Sequence, residues 1–135
     1  MKDYIFSYEM KTRDYELDAQ GVVNNANYQH YLEVTRHEWL EHEGFSFQQW
    51  HDEGIDMMVA EINMQYKTPL RGQESFLSCL NLRREGARFI FEQDIYRKSD
   101  EKLCVKAQVN VVCLVNGRLT KGDEVAQHFE KYLSK

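Results

Sequence analysis

Apolar and polar residues alternate near the start of the chain, with Tyr4, Phe6, Tyr8 and Met10 on one parity and Ser7, Glu9 and Lys11 on the other. That is the period of a half-buried strand. A polar loop follows from Arg13 to Gly21. Beyond it Tyr28, Tyr31, Leu32, Thr35, Trp39 and Leu40 recur at steps of three and four. This collects them on one face of a long helix, from about Asn25 to Glu43 and closed near Gly44. A second, shorter helix is signalled by Phe45-Ser46-Phe47-Gln48-Gln49-Trp50. Ser46 can cap it, Gln49 can complete a capping box and Phe45 can staple onto Trp50, with Gly54 supplying the exit.

The period then switches to two: Met58, Ala60, Ile62, Met64 and Tyr66 share one face, and Glu61, Asn63, Gln65 and Lys67 the other. This strand ends at Pro69, the only proline. Residues 74–84 and 88–98 read as two further strands joined across Glu85-Gly86-Ala87. Leu103, Val105, Ala107, Val109 and Val111 line one face of a last long strand, which the tight-turn pair Asn116-Gly117 ends. Val125, Phe129, Tyr132 and Leu133 form the apolar stripe of a closing helix from about Asp123 onward. The order strand, long helix, four strands, helix predicts an α+β fold with a five-stranded antiparallel sheet and segregated helices. The long helix and the sheet each need an apolar partner, so the sheet is expected to wrap around the helix.

Composition narrows the picture. At 135 residues the chain has the size of one domain, read here as 1–135, and 42% apolar residues with 13% aromatics imply a packed core. A formal charge of −5 argues against a nucleic-acid partner, since phosphate backbones are held by clustered Lys and Arg. The alternating amino terminus, Met1 to Met10, lacks the apolar core of a signal peptide, and the longest apolar run, Val111 to Val115, is too short to cross a bilayer. Cys79, Cys104 and Cys113 form no C-x-x-C pair. They fit buried thiols in a cytoplasmic protein.

The least ordinary stretch runs from Asp18 to Tyr28, joining the polar loop to the mouth of the long helix. Unpaired N–H groups of a first helical turn can hold a developing oxyanion, and a nearby carboxylate can attack a carbonyl or activate water. The same residues are also ordinary loop and cap residues: Asp18 suits an Asx turn, and Asn24, Asn25 and Asn27 suit helix caps. His37-Glu38-Trp39-Leu40-Glu41-His42 lacks the His at the fourth position that a zinc helix needs, because Glu41 stands there. No metal is therefore expected, and this helix face is read as solvated. Gln29, His30 and Glu33 lie within about a turn of the helix mouth, where one could assist the site or touch substrate, and the structural reading is preferred.

Asp18-Ala19-Gln20-Gly21-Val22-Val23, then Ala26-Asn27-Tyr28, then Tyr31-Leu32-Glu33 and Arg36, resemble the signature of hotdog-fold acyl-CoA thioesterases of the 4-hydroxybenzoyl-CoA thioesterase type. The Lys67-Thr68-Pro69-Leu70-Arg71 corner and the strand order agree with that family. The resemblance implies a catalytic set of Asp18, Asn25 and Asn27. Asp18 would be nucleophile or general base, and an N–H of Asn25 or its neighbour would polarise the thioester carbonyl. It implies a substrate-binding surface of Gly21, Val22, Val23, Asn24, Tyr28 and Arg71, with no metal or redox cofactor. Arg83, Arg84 and Arg88, with Arg71, are candidates for coenzyme A phosphates or plain surface residues. Similar proteins pair their sheets edge to edge, which implies a homodimer or homotetramer.

The sequence also departs from the pattern. Many relatives carry Tyr-His where Asn24-Asn25 stand, and Val23-Asn24-Asn25 before Tyr28 looks instead like the helix start of acyl-carrier-protein thioesterases. A carrier-bound thioester is thus an alternative substrate, and the acidic chain argues mildly against an acidic carrier partner. A carrier-dependent dehydratase or hydratase ranks lower, because no histidine lies between Met1 and Gln29. A non-catalytic acyl-binding module is the remaining alternative.

Overall fold

The computed structural model describes residues 2–133. Met1, Ser134 and Lys135 lie outside the described residues, and with them the outermost positions of the amino-terminal segment and of the closing helix. Six strands form one antiparallel sheet: β1 (Phe6–Lys11), β2 (Ile55–Tyr66), β3 (Ser75–Glu85), β4 (Arg88–Arg97), β5 (Leu103–Val115) and the short β6 (Arg118–Thr120). The order across the sheet is β1-β3-β4-β5-β2, with β6 paired to β5. The long helix α1 (Asn25–His42) packs on β1 and β3 and buries Tyr28, Tyr31, Leu32, Thr35, Arg36, Trp39 and Leu40. This is the expected hotdog arrangement of a sheet around a helix, and its path of long strands is the expected five.

Local signals set the ends of α1. The Asn24 side chain accepts the Ala26 N–H at its start. At its finish Gly44, at φ 92°, donates to the Glu41 carbonyl while Phe45 donates to Leu40. That pair of bonds closes the helix as a Schellman motif. The second helix, α2 (Phe47–Asp52), starts with Ser46 accepting the Gln49 N–H at 2.9 Å, and the Phe45 and Trp50 rings sit 5.3 Å apart.

Four features differ from the expectation. The strand β2 carries a bulge: Val59 faces Val111 and Glu61 faces Asn110, so Ala60 is an extra residue. One extra residue inverts side-chain parity. Met57, Ile62 and Met64 therefore pack on the core, while Met58 and Ala60, expected on the inner face, point away and Met58 is 51% exposed. The pair Asn116-Gly117, both at positive φ, does not merely end β5 but turns it into β6. The closing helix breaks at Phe129 into α3 (Asp123–His128) and α4 (Glu130–Leu133). Its break drives the Phe129 ring between Trp39, at 4.8 Å, and Trp50, at 6.0 Å. Finally, the polar loop contains a 3₁₀ turn over Asp14–Glu16, with Glu16 buried.

A polar thread runs through the core beneath α1. Arg36 donates to Gln93 Oε1 at 3.0 Å, and Gln93 Nε2 donates to the Leu32 carbonyl at 3.1 Å. Burial lowers the Arg36 guanidinium to about 10, since desolvation disfavours its charged form.

Candidate active site

The loop before α1 is folded against the corner that follows β2. Thr12 Oγ1 donates to the Arg71 carbonyl at 2.6 Å, and the Val23 N–H donates to the Leu70 carbonyl at 2.8 Å. Within the loop Asp18 and Val22 close a tight turn, Asp18 N–H to Val22 carbonyl at 2.8 Å, with Gly21 at φ 76° in the left-handed region that favours glycine. The half-buried Asp18 carboxylate accepts the Gln20 N–H at 2.8 Å and the Val22 N–H at 3.4 Å. Both bonds fall on Oδ1. The Asx turn and the chemical candidate are thus one geometry: two backbone donors orient the carboxylate.

Asp18 opens onto a cavity of about 350 Å³ at the mouth of α1. Gln20, Val22, Val23, Asn24, Asn25 and Tyr28 form one wall, and Tyr66 to Pro69 with Cys104 form the other. The first turn of α1 is partly spoken for: Ala26 N–H goes to Asn24 Oδ1 and Asn27 N–H to the Asn24 carbonyl. Among the described residues no acceptor takes the Asn25 N–H. An 18-residue helix places the positive end of its dipole here. Among the described residues the cavity walls carry no second acid. Tyr28 is buried, its ring 5.7 Å from Tyr66, and its hydroxyl accepts the Leu70 N–H at 3.1 Å; burial raises its pKa. Burial also raises Cys104 to about 11, so it remains a thiol and a poor nucleophile.

The chain as a whole, with this sheet and helix, is similar to known proteins. The pattern of the Thioesterase-like superfamily aligns with residues 12–131. The chain belongs to this superfamily. It is 34% identical over 109 residues to the chloroplastic acyl-acyl carrier protein thioesterase ATL3 of Arabidopsis thaliana, covering 80% of this chain but only 57% of that protein. It is 30% identical over 107 residues to the long-chain acyl-CoA thioesterase FadM of Escherichia coli strain K12, covering 78% of this chain and 80% of the relative. The solved structure of Slr0204, a 1,4-dihydroxy-2-naphthoyl-CoA thioesterase from Synechocystis, superposes with a TM-score of 0.85 over 96% of each chain at 19% identity, a likeness of fold.

Within this thioesterase-like domain the sequence-derived site residues divide. Asp18, Val22, Val23, Asn24, Asn25 and Tyr28 line one cavity. Gly21 shapes the turn behind Asp18, and Asn27 turns its amide to the Glu16 carbonyl at 3.0 Å. Arg71 is exposed, its backbone bridged to Val22, and it does not line the cavity. Arg83 pairs with Glu85 and with Glu92, Arg84 with Asp123, and Arg88 with Glu61. His30 and Glu33 are exposed and outside the cavity wall, and His37 sits 3.9 Å from Glu33 on the solvated face of α1. Among the described residues no cluster of metal-ligating side chains occurs, and no helix is long and apolar enough to cross a membrane. A larger open depression of about 1120 Å³ beside α3 holds Arg84, already paired with Asp123, and none of the Asp18 loop.

The residues that sequence reading missed lie mostly far along the chain. Tyr66 was read as a strand end, Lys67, Thr68 and Pro69 as a strand end and family-like corner but not as site residues, and Cys104 as core. Glu16 carried one local signal, an acid three residues after Arg13 whose Oε1 takes the Arg13 N–H at 2.7 Å. That is half of a capping-box pattern.

Proposed function

We propose that this chain hydrolyses acyl-CoA thioesters in the manner of the 4-hydroxybenzoyl-CoA thioesterase type, with Asp18 as the reacting carboxylate. One observation carries the reading: Asp18 and Asn25, whose N–H finds no acceptor among the described residues, line the same cavity at the mouth of α1. The two backbone donors on Oδ1 leave Oδ2 as the oxygen for chemistry. In one route Oδ2 attacks the thioester carbon, the thiolate departs and water cleaves the resulting anhydride. In the other Oδ2 takes a proton from water, which attacks instead. Either way the carbonyl oxygen gains charge beside the Asn25 N–H, and one such donor is worth about 3–4 kcal/mol. The likeness to FadM supports a coenzyme A thioester, and the likeness to ATL3 keeps an acyl-carrier-protein thioester as the second reading.

In this proposal no metal takes part and the whole chain acts as one cytoplasmic domain. Two copies join through the outer edge of β2, where Met58 and Val59 are 51% and 45% exposed. Pairing there would cover an open strand edge and an apolar patch together, and two such dimers give the tetramer. Light scattering on a size-exclusion column reads the assembly.

The deciding experiment is free-thiol release from short, long and aromatic acyl-CoA substrates by the wild type and Asp18→Asn. Turnover that collapses in a folded Asp18→Asn protein is the expected result. Release that survives the substitution removes Asp18 from the chemistry. Saturable binding without turnover replaces the hydrolase with an acyl-binding module.

A further inference from the structure

Glu16 lies outside the cavity wall, yet it is tied to both halves of the candidate site. It is only 5% exposed, while Tyr15 beside it is 80% exposed. Oε1 accepts the Tyr31 hydroxyl at 2.6 Å and the Arg13 N–H at 2.7 Å, and Oε2 receives Arg13 Nη1 at 3.2 Å. The Glu16 carbonyl accepts the Asn24 N–H at 2.9 Å and Asn27 Nδ2 at 3.0 Å. Tyr31 is itself immobilised, buried on the sheet side of α1 with its ring 4.7 Å from Phe76 of β3. Burial, and then the Glu16 carboxylate beside it, push the Tyr31 phenol upward, so it stays a donor.

A carboxylate is buried at a cost of several kcal/mol unless donors satisfy it. Here the donors come from the loop on one side and the helix on the other. The side chain of Glu16 fastens the loop two residues before Asp18. Its carbonyl fastens the residue that caps the helix and the first turn behind it. One residue therefore sets where the carboxylate of Asp18 stands relative to the open N–H end of α1.

We infer that Glu16 is a positioning residue for the reaction, holding Asp18 and the Asn25 N–H at the separation that thioester cleavage needs. This rests on the reading of Asp18 given above. Glu16 does not line the cavity, so its loss acts on the rate and not on substrate binding. Misplacement of a reacting group by about 1 Å can cost about a hundredfold in rate.

The test compares Glu16→Ala, Glu16→Gln and Tyr31→Phe, each with and without Asp18→Asn, by kcat, KM and amide hydrogen exchange. Glu16→Ala is expected to lower kcat by about a hundredfold with KM changed by less than about threefold. Glu16→Gln still accepts from Tyr31 and Arg13 through its amide oxygen and restores most of the rate. Tyr31→Phe gives a smaller loss in the same direction. On the Asp18→Asn background Glu16→Ala adds no further loss, because coupled groups are non-additive. The Asn24 amide exchanges faster in Glu16→Ala while β4 and β5 keep their protection. A rate loss that follows the amount of unfolded protein, an undiminished loss on the Asp18→Asn background, or an unchanged Asn24 exchange overturns the inference. A wild type that cleaves no thioester overturns the hydrolase reading and the rate claim with it; exchange at Asn24 then still decides whether Glu16 holds the loop.

Discussion

The two ends of α1 are built from opposite materials. At its start the chain is held by directed polar bonds: Asn24 caps, Asn27 and Tyr31 reach Glu16, and Tyr28 takes the Leu70 N–H. At its finish Trp39 meets Phe91, Phe129 and Tyr132 at ring separations of 5.7, 4.8 and 5.9 Å, and Phe45 and Trp50 close over the same patch. Apolar contact is non-directional and tolerant of small shifts, whereas hydrogen bonds fix angles. The aromatic end accordingly supplies stability, and the polar end supplies the geometry of a site. A single helix carries both because its interior bonds make it a stiff rod between them.

Substitutions can separate these roles. The largest effect is expected from Asp18→Asn: a rate lower by about 10²–10⁴-fold, the range of general-base catalysis, with an unchanged urea midpoint. Phe129→Ala is the converse, costing about 3–5 kcal/mol of stability as a buried aromatic does, while the rate per folded molecule is kept. Urea unfolding and thiol release on the same samples test both. Equal damage to rate and stability from either one would erase the distinction between the ends.

Smaller changes sharpen it. Asn24→Ala and Ser46→Ala each remove a helix cap and are each expected to cost about 1 kcal/mol. Only the first stands on the cavity wall, so only the first should slow thiol release. A rate loss in Ser46→Ala would mean that the whole helix layer, not its polar end, sets the geometry. The smallest effect concerns the exposed His51–Asp56 pair, 2.6 Å apart, where the Asp56 hydrogen bond and charge raise the His51 pKa. The added stability is present at pH below the ordinary histidine value and is lost as pH rises through the raised one. Asp56→Asn should move the His51 ring titration, followed by NMR, back toward its ordinary value and leave the rate unchanged.

Much of this was legible in residue order. The spacing of Tyr28, Leu32, Thr35 and Trp39 places α1 within a residue or so of its ends, and Ser46 and Gly44 mark caps that form as expected. The stretch from Asp18 to Tyr28, singled out from sequence, supplies one wall of the cavity. Arg71, which the family resemblance placed on the substrate surface, is bridged to Val22 through its backbone and does not line the cavity, a placement that only the tertiary structure records. Met58 and Ala60 were misjudged because alternation assumes an unbroken ladder, and the bulge at Ala60 breaks it.

What the sequence determined by itself is therefore local: the helix spans, the caps, the strand order and the acid loop, since each depends on residues a few places apart. Tertiary structure alone decided the phase of β2, the break at Phe129, the second cavity wall from Tyr66 to Pro69 with Cys104, and the burial of Glu16. Periodicity is a property of one segment. Closing a cavity or satisfying a buried carboxylate depends on partners brought from elsewhere in the chain, and no single segment records them.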